Sequence, residues 1–168
     1  MENRKKCVFA GTFDPPTSGH QKIISQCLKI FDEVVVAVLE NTGKSCTFTV
    51  DERLALLKKL YRDNQNVKVV AFAGAVVDLL ERENTPFYVR GIRNTIDFEY
   101  ENQNSFANKK LKDDIITIYI PAEQDALQIS STLVRNSAHF KKEYGEYIPK
   151  EIAEDIYKLF DEKFGGRR

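Results

Sequence analysis

No stretch of this chain approaches the roughly 18 consecutive apolar residues that a membrane-crossing helix needs. The basic start, Met1-Glu2-Asn3-Arg4-Lys5-Lys6, is not followed by the apolar core and small-residue cleavage site of a secretory signal. A surplus of either charge is missing too: 25 Lys and Arg balance 25 Asp and Glu. That removes a global electrostatic case for DNA, RNA or an anionic membrane as partner, and leaves room for a local basic cleft. Cysteine is scarce. Cys7, Cys27 and Cys46 stand far apart with no C-x-x-C, so zinc ribbons and dithiol redox motifs lack support. Free thiols of this kind fit a reducing cytoplasm. Neither G-x-G-x-x-G nor G-x-x-x-x-G-K-[ST] occurs, so neither a dinucleotide fingerprint nor a Walker loop is present. Internal repeats and low-complexity segments are absent as well.

What is present is an alternation. Apolar, β-branched runs occur at 7–10, 34–39, 67–72, 86–89 and 115–120, each the length of a strand buried on both faces of a parallel sheet. Helical patterns lie between them. Ile23, Ile24, Cys27, Leu28 and Phe31 share one face, as do Leu54, Leu57, Leu60 and Tyr61 on the next helix. That second helix opens with Thr49-Val50-Asp51-Glu52, a capping box. Val76, Val77, Leu79 and Leu80 mark a third, and Phe98, Phe106 and Leu111 a fourth, longer and more polar. A last helix at about 149–164 has Pro149 near its start. The expected fold is α/β: a Rossmann-like, doubly wound, five-stranded parallel sheet with helices on both faces and a C-terminal helical extension. Residues 1–168 form one domain in this reading. Ligands of such sheets bind outside the carboxyl ends of the strands, so functional residues should follow strands.

Four clusters do. The first is Gly11-Thr12-Phe13-Asp14-Pro15-Pro16-Thr17-Ser18-Gly19-His20. Gly11 admits a ligand close to the backbone, the prolines stiffen the turn, and Thr17 or Ser18 caps the helix. His20 then presents an imidazole at a helix N-terminus, where phosphates bind well. The second is Glu40-Asn41-Thr42-Gly43-Lys44-Ser45, with Lys44 as a point charge for phosphate. The third runs from Arg90-Gly91-Ile92-Arg93 to Asp97-Phe98-Glu99-Tyr100-Glu101. Its guanidinium forks suit phosphate oxygens, and its acids either orient the arginines or contact a ribose. The fourth, Gln128-Ile129-Ser130-Ser131-Thr132-Leu133-Val134-Arg135, opens a helix with three hydroxyls. Read alone, each has an ordinary alternative: a capped turn, a solvated lysine, an acidic helix start, an N-cap. Read together, four phosphate-binding clusters at one sheet edge favour a shared site.

These residues, in this order, resemble the bacterial phosphopantetheine adenylyltransferases of the nucleotidyltransferase superfamily with the T/H-x-G-H signature. The resemblance also takes in Phe48-Thr49-Val50-Asp51-Glu52-Arg53, and it extends from about Cys7 to the C-terminal helix. It implies that ATP and 4′-phosphopantetheine give dephospho-coenzyme A and pyrophosphate. Mg²⁺ would be bound mainly through the ATP phosphates, with no protein metal ligand assigned. It further implies a homohexamer, with coenzyme A as a feedback ligand. By the same resemblance His20, Lys44 and Arg93 are the catalytic group. Gly11, Thr12, Phe13, His20, Gly91, Arg93, Tyr100, Glu101, Ser130, Ser131 and Thr132 meet ATP. Thr12, Lys44, Ala75, Val76 and Arg90 meet phosphopantetheine. The segment Glu123-Gln124-Asp125-Ala126-Leu127-Gln128 lacks an aromatic found in many relatives, and Asn136 stands at an often acidic position. Three alternatives remain at this point. They are an adenylyltransferase for nicotinate mononucleotide, a cytidylyltransferase for a small phosphorylated alcohol, and a non-catalytic nucleotide- or coenzyme-binding module.

Overall fold

A computed structural model describes residues 4–40, 43 and 45–165. The five apolar runs form β1 (Lys6–Gly11), β2 (Glu33–Glu40), β3 (Val67–Ala73), β4 (Phe87–Ile92) and β5 (Ile116–Pro121). All pair in parallel, in the order β3-β2-β1-β4-β5. The crossovers are α1 (Ser18–Cys27), α2 (Val50–Leu60), α3 (Val76–Arg82) and α4 (Thr95–Leu111). After β5 come α5 (Ser131–His139) and α6 (Ala153–Phe164).

Side chains alternate between the two faces of a strand, and both faces of the central β1 and β2 are covered, so their interiors are apolar without a break. Cys7 and Phe9 of β1, with Val34, Val36 and Val38 of β2, pack against Ile23, Ile24 and Cys27 of α1 and Leu57 of α2. Their neighbours Val8, Ala10, Val35 and Ala37 face the other way, onto Leu79 and Leu80 of α3. A third cluster binds the C-terminal extension to α2: Phe48 and Leu56 pack with Val134, Ile152, Ile156 and Phe160. The long polar helix α4 buries none of its residues; Phe98, Phe106 and Leu111 are 40%, 63% and 71% exposed. None of the described helices is long and apolar enough to cross a membrane.

One boundary differs from expectation in a way that makes the site. The sequence places the end of β4 at Val89, but the strand runs on to Ile92, because Arg90, Gly91 and Ile92 pair with Tyr119, Ile120 and Pro121 of β5. Toward β1 the register holds only at Val8↔Tyr88 and Phe9↔Val89. Beyond that point β4 stays with β5 and parts from β1. The gap opens where the winding of the sheet reverses, the place such sheets use for ligands.

Candidate active site

The turn after β1 orients His20 through its own backbone. Thr17 is the N-cap of α1: its hydroxyl accepts from the His20 amide at 3.3 Å, and its amide donates to His20 Nδ1 at 3.0 Å. This is a capping box with an imidazole where Glu or Gln commonly stands. A backbone N–H only donates, so Nδ1 is the acceptor and the ring proton sits on Nε2. Phe13 packs edge-to-face with the ring, centroids 4.9 Å apart. Phe13 is itself buried at φ 52°, a left-handed conformation that costs a bulky residue on the order of 1–2 kcal/mol. Packing against Phe9, centroid to centroid 5.7 Å, helps retain it.

Desolvation, and then the guanidinium charges of Arg90 and Arg93, push the His20 pKa down from 6.5 to about 4. At neutral pH the cleft therefore presents an uncharged Nε2–H donor. The shift also predicts a stability effect. Between pH 6.5 and 4 the unfolded chain binds more protons here than the folded one, so the contribution is complete above pH 6.5 and is lost as pH falls toward 4. In urea titrations across that window, the stability of the wild type should fall more steeply than that of His20→Gln. Parallel curves would mean that the ring titrates as freely folded as unfolded.

The two arginines are each gripped by a carboxylate from α4. Arg90 Nε and Nη2 donate to Glu101 at 2.8 and 2.6 Å, and its Nη1 donates to the Ala10 carbonyl and, at 3.2 Å, to the Tyr88 hydroxyl. Desolvation opposes the charge on Arg90, but Tyr88 and Glu101 outweigh it and hold the guanidinium above its usual value. Arg93 donates to Asp97 from Nε at 2.8 Å and from Nη2 at 3.2 Å. Of the two readings for the acids, orienting the arginines is what the geometry displays. Arg90 also bridges the gap between β4 and β1 that backbone pairing leaves open.

The opposite wall is the start of α5. Ser130 is its N-cap and accepts from the Leu133 amide at 3.1 Å; Ser131 donates to the Pro15 carbonyl at 2.7 Å; Thr132 accepts from Arg135 at 3.1 Å. With those hydroxyls occupied, the amides at this N-terminus are the groups left to meet an anion. Two helix N-termini and two arginines thus surround a cleft of about 320 Å³. It is lined by the ends of β1 and β4, by His20 and Ile23 of α1, and by Ala126, Ile129 and the 130–132 start. Gly91 packs closely here: a methyl in its place would lie 3.1 Å from Ile23 Cγ1, so Ile23 would have to shift by a few tenths of an ångström.

Eleven of the expected residues line this one cleft: Gly11, Thr12, Phe13, His20, Arg90, Gly91, Arg93, Glu101, Ser130, Ser131 and Thr132. Tyr100 is 62% exposed and not among the lining residues. Ala75, the N-cap position of α3, and Val76 beside it lie beyond the end of β3, also outside the cleft lining. Lys44 falls outside the described residues. Sequence reasoning passed over Asp14 and Arg53, both buried charged residues next to the cleft turn. Arg53 carries a signal: it shares a helical stripe with Leu56, Leu57 and Leu60, and a charge on a buried stripe calls for partners. Lys22, also passed over, ties α1 to the 123–128 segment through Asp125 and, at 3.3 Å, Glu123.

The cytidylyltransferase-like family model matches residues 8–137. The phosphopantetheine adenylyltransferase of Finegoldia magna is 39% identical, over 96% of this chain and 99% of its own length. That of Clostridium kluyveri is 38% identical, over 95% and 97%. That of Francisella tularensis subsp. mediasiatica is 42% identical, over 90% and 94%. The His20 turn, the paired arginines and the start of α5 all fall within the matched region, and with relatives similar nearly end to end this chain belongs to the phosphopantetheine adenylyltransferase family of cytidylyltransferase-like proteins.

Proposed function

We propose that this protein transfers the adenylyl group of ATP to 4′-phosphopantetheine, releasing pyrophosphate and forming dephospho-coenzyme A, a step of coenzyme A biosynthesis. The observation that carries the reading is a neutral, pre-oriented Nε2–H of His20 inside a cleft walled by cations and helix N-termini. A phosphate oxygen of phosphopantetheine attacks the α-phosphorus of ATP in line. The new P–O bond forms as the bond to the β-phosphate oxygen breaks, and pyrophosphate leaves with that electron pair. The nucleophile is already an anion, so no general base is required. The protein must position two anions and stabilise charge gathering on the α-phosphate. His20 donates to an α-phosphate oxygen. Arg93 and the Ser131 and Thr132 amides hold the distal phosphates, while Gly11, Phe13 and Gly91 bound the nucleotide. Thr12 and Lys44 orient the attacking phosphate. Arg90 adds charge beside it, held in place by Glu101. Ala75 and Val76 meet the pantetheine arm.

No group of three or more His, Cys, Asp or Glu among the described residues is placed to cage a metal, and Asp97 and Glu101 are engaged with arginines. Such a donor set suits phosphate oxygens rather than a bare cation. Mg²⁺ would therefore enter on the ATP phosphates, with water as its remaining ligands, and would supply neutralising charge there. Coenzyme A, which contains the product's two halves, would occupy the same cleft as a feedback ligand. The exposed Ile96, Phe106 and Leu111 of α4 support self-association, and the assembly we propose is a homohexamer. The free thiols of Cys7, Cys27 and Cys46 fit a cytoplasmic setting. The test is pyrophosphate release with ATP, Mg²⁺ and 4′-phosphopantetheine, one pyrophosphate per dephospho-coenzyme A. Absence of turnover, or turnover with nicotinate mononucleotide alone, would overturn the reading.

A further inference from the structure

We infer that Asp14 and Arg53 are positioning residues for the transfer reaction, fixing both ends of the β2–α2 connection against the turn that carries His20. The inference rests on the adenylyl-transfer reading above. Both side chains are charged and almost fully buried, at 4% and 3% exposure. They do not pair with each other; their hydrogen bonds all go to backbone, of the connection and of the turn, and the one ion pair among the described residues is the 3.9 Å approach of Arg135 to Asp14 Oδ2. Asp14 Oδ2 accepts from the Thr47 amide and Oδ1 from the Phe48 amide, each at 2.8 Å. Arg53 Nε donates to the carbonyls of Phe48 and Thr49 at 3.1 and 3.2 Å. Its Nη1 donates to the carbonyl of Thr12 at 2.6 Å and to that of Leu39 at 3.4 Å. Leu39 lies at the end of β2 and Thr47–Phe48 at the approach to α2. The connection is therefore held at both ends, and the turn is held at Thr12 and Asp14, the two residues flanking Phe13. Phe13 is the residue whose ring packs edge-to-face with His20.

Stability alone does not explain this arrangement. Phe48 is fully buried and packs its ring on Phe160, centroids 4.7 Å apart, so the apolar core already secures that end. Burying two charges to bind backbone is costly, and apolar side chains of similar volume commonly serve stability as well. What the charges add is a fixed offset between two backbone segments. In sequence, Lys44 lies between the anchored ends, and His20 follows the anchored turn. A misplacement of about 1 Å between groups that must act on one phosphate can cost on the order of 10² in rate.

The decisive experiment compares Asp14→Asn and Arg53→Lys with the wild type in steady-state turnover of ATP and 4′-phosphopantetheine. Asparagine keeps the shape but turns an amide donor toward a backbone N–H; lysine keeps the charge but loses the fork. Either change should lower kcat by about 10-fold or more while KM for ATP moves by less than about threefold. Asp14→Asn should matter far less in a Lys44→Ala background, because both act through one connection. Wild-type turnover with unchanged kcat in both variants, or fully additive losses with Lys44→Ala, would overturn the inference and leave the functional reading standing. No wild-type turnover would overturn the functional reading instead. Hydrogen exchange on the wild type needs no variant to fold. The Thr47 and Phe48 amides, outside any strand or helix, should exchange as slowly as those of β2, and exchange at the rate of an exposed loop would overturn the anchoring itself.

Discussion

Replacing His20 with alanine should lower kcat by about 10²–10³-fold, the usual consequence of removing one donor aimed at developing charge. Affinity for ATP should change by less than about threefold, because the proposed bond to the α-phosphate is strongest in the transition state. The structure explains why a histidine suits this position. The capping box fixes the ring through Nδ1, so the Nε2–H is aimed before substrate arrives and needs no reorganisation. Desolvation, and then the surrounding guanidinium charges, keep the ring neutral at pH 7. On the proposed mechanism, entering phosphates would reverse that field: anions beside the ring favour the imidazolium, and the donor would strengthen as charge accumulates on the α-phosphate. His20→Gln separates the contributions. Glutamine suits the N3 side of a capping box, so it should restore most of the helix cap while failing to restore kcat. Steady-state kinetics with a separate ATP-binding measurement checks both. A kcat within a few fold of wild type in His20→Ala would remove the residue from the chemistry.

How much of this was legible in the sequence depends on the range of the interaction. Strands, helices and the capping box at Thr49 were readable because their signals are local: continuous apolar runs in β1 and β2, the 3.6 spacing of α1 and α2. The gathering of four clusters was readable too, because a parallel sheet places every strand end on one edge. Partner identity was not. Arg90 meets Glu101, and Asp14 meets the amides of Thr47 and Phe48, across distances with no periodic signature. The end of β4 was misplaced because a charged residue and a glycine break an apolar run, while backbone pairing with β5 does not depend on side chains. Tyr100 illustrates a constraint available in principle. Adjacent helical residues project about 100° apart, so the helix that aims Glu101 at Arg90 turns Tyr100 away from the cleft.

The Arg90–Glu101 pair yields the other large expected effect, because stability and chemistry separate there. Arg90→Ala leaves a carboxylate only 12% exposed without its cation, and it strips the donor from the Ala10 carbonyl where β1 and β4 part. Breaking a buried pair from one side costs about 3–5 kcal/mol; the 23% exposure of the arginine side chain places this one nearer 2–3 kcal/mol, as a rough figure. Removing both partners eliminates the stranded charge, so Arg90→Ala/Glu101→Ala should recover most of the lost stability in chemical unfolding. Turnover should not follow. The cleft still lacks the positive charge proposed to sit beside the attacking phosphate, and kcat/KM for 4′-phosphopantetheine should remain down by about 10² or more in both variants. If the double variant regains turnover with stability, Arg90 is a strut between β1 and α4 and nothing more. If it regains neither, the stranded carboxylate is not what costs stability, and the lost bonds of Arg90 to the Ala10 carbonyl and the Tyr88 hydroxyl are.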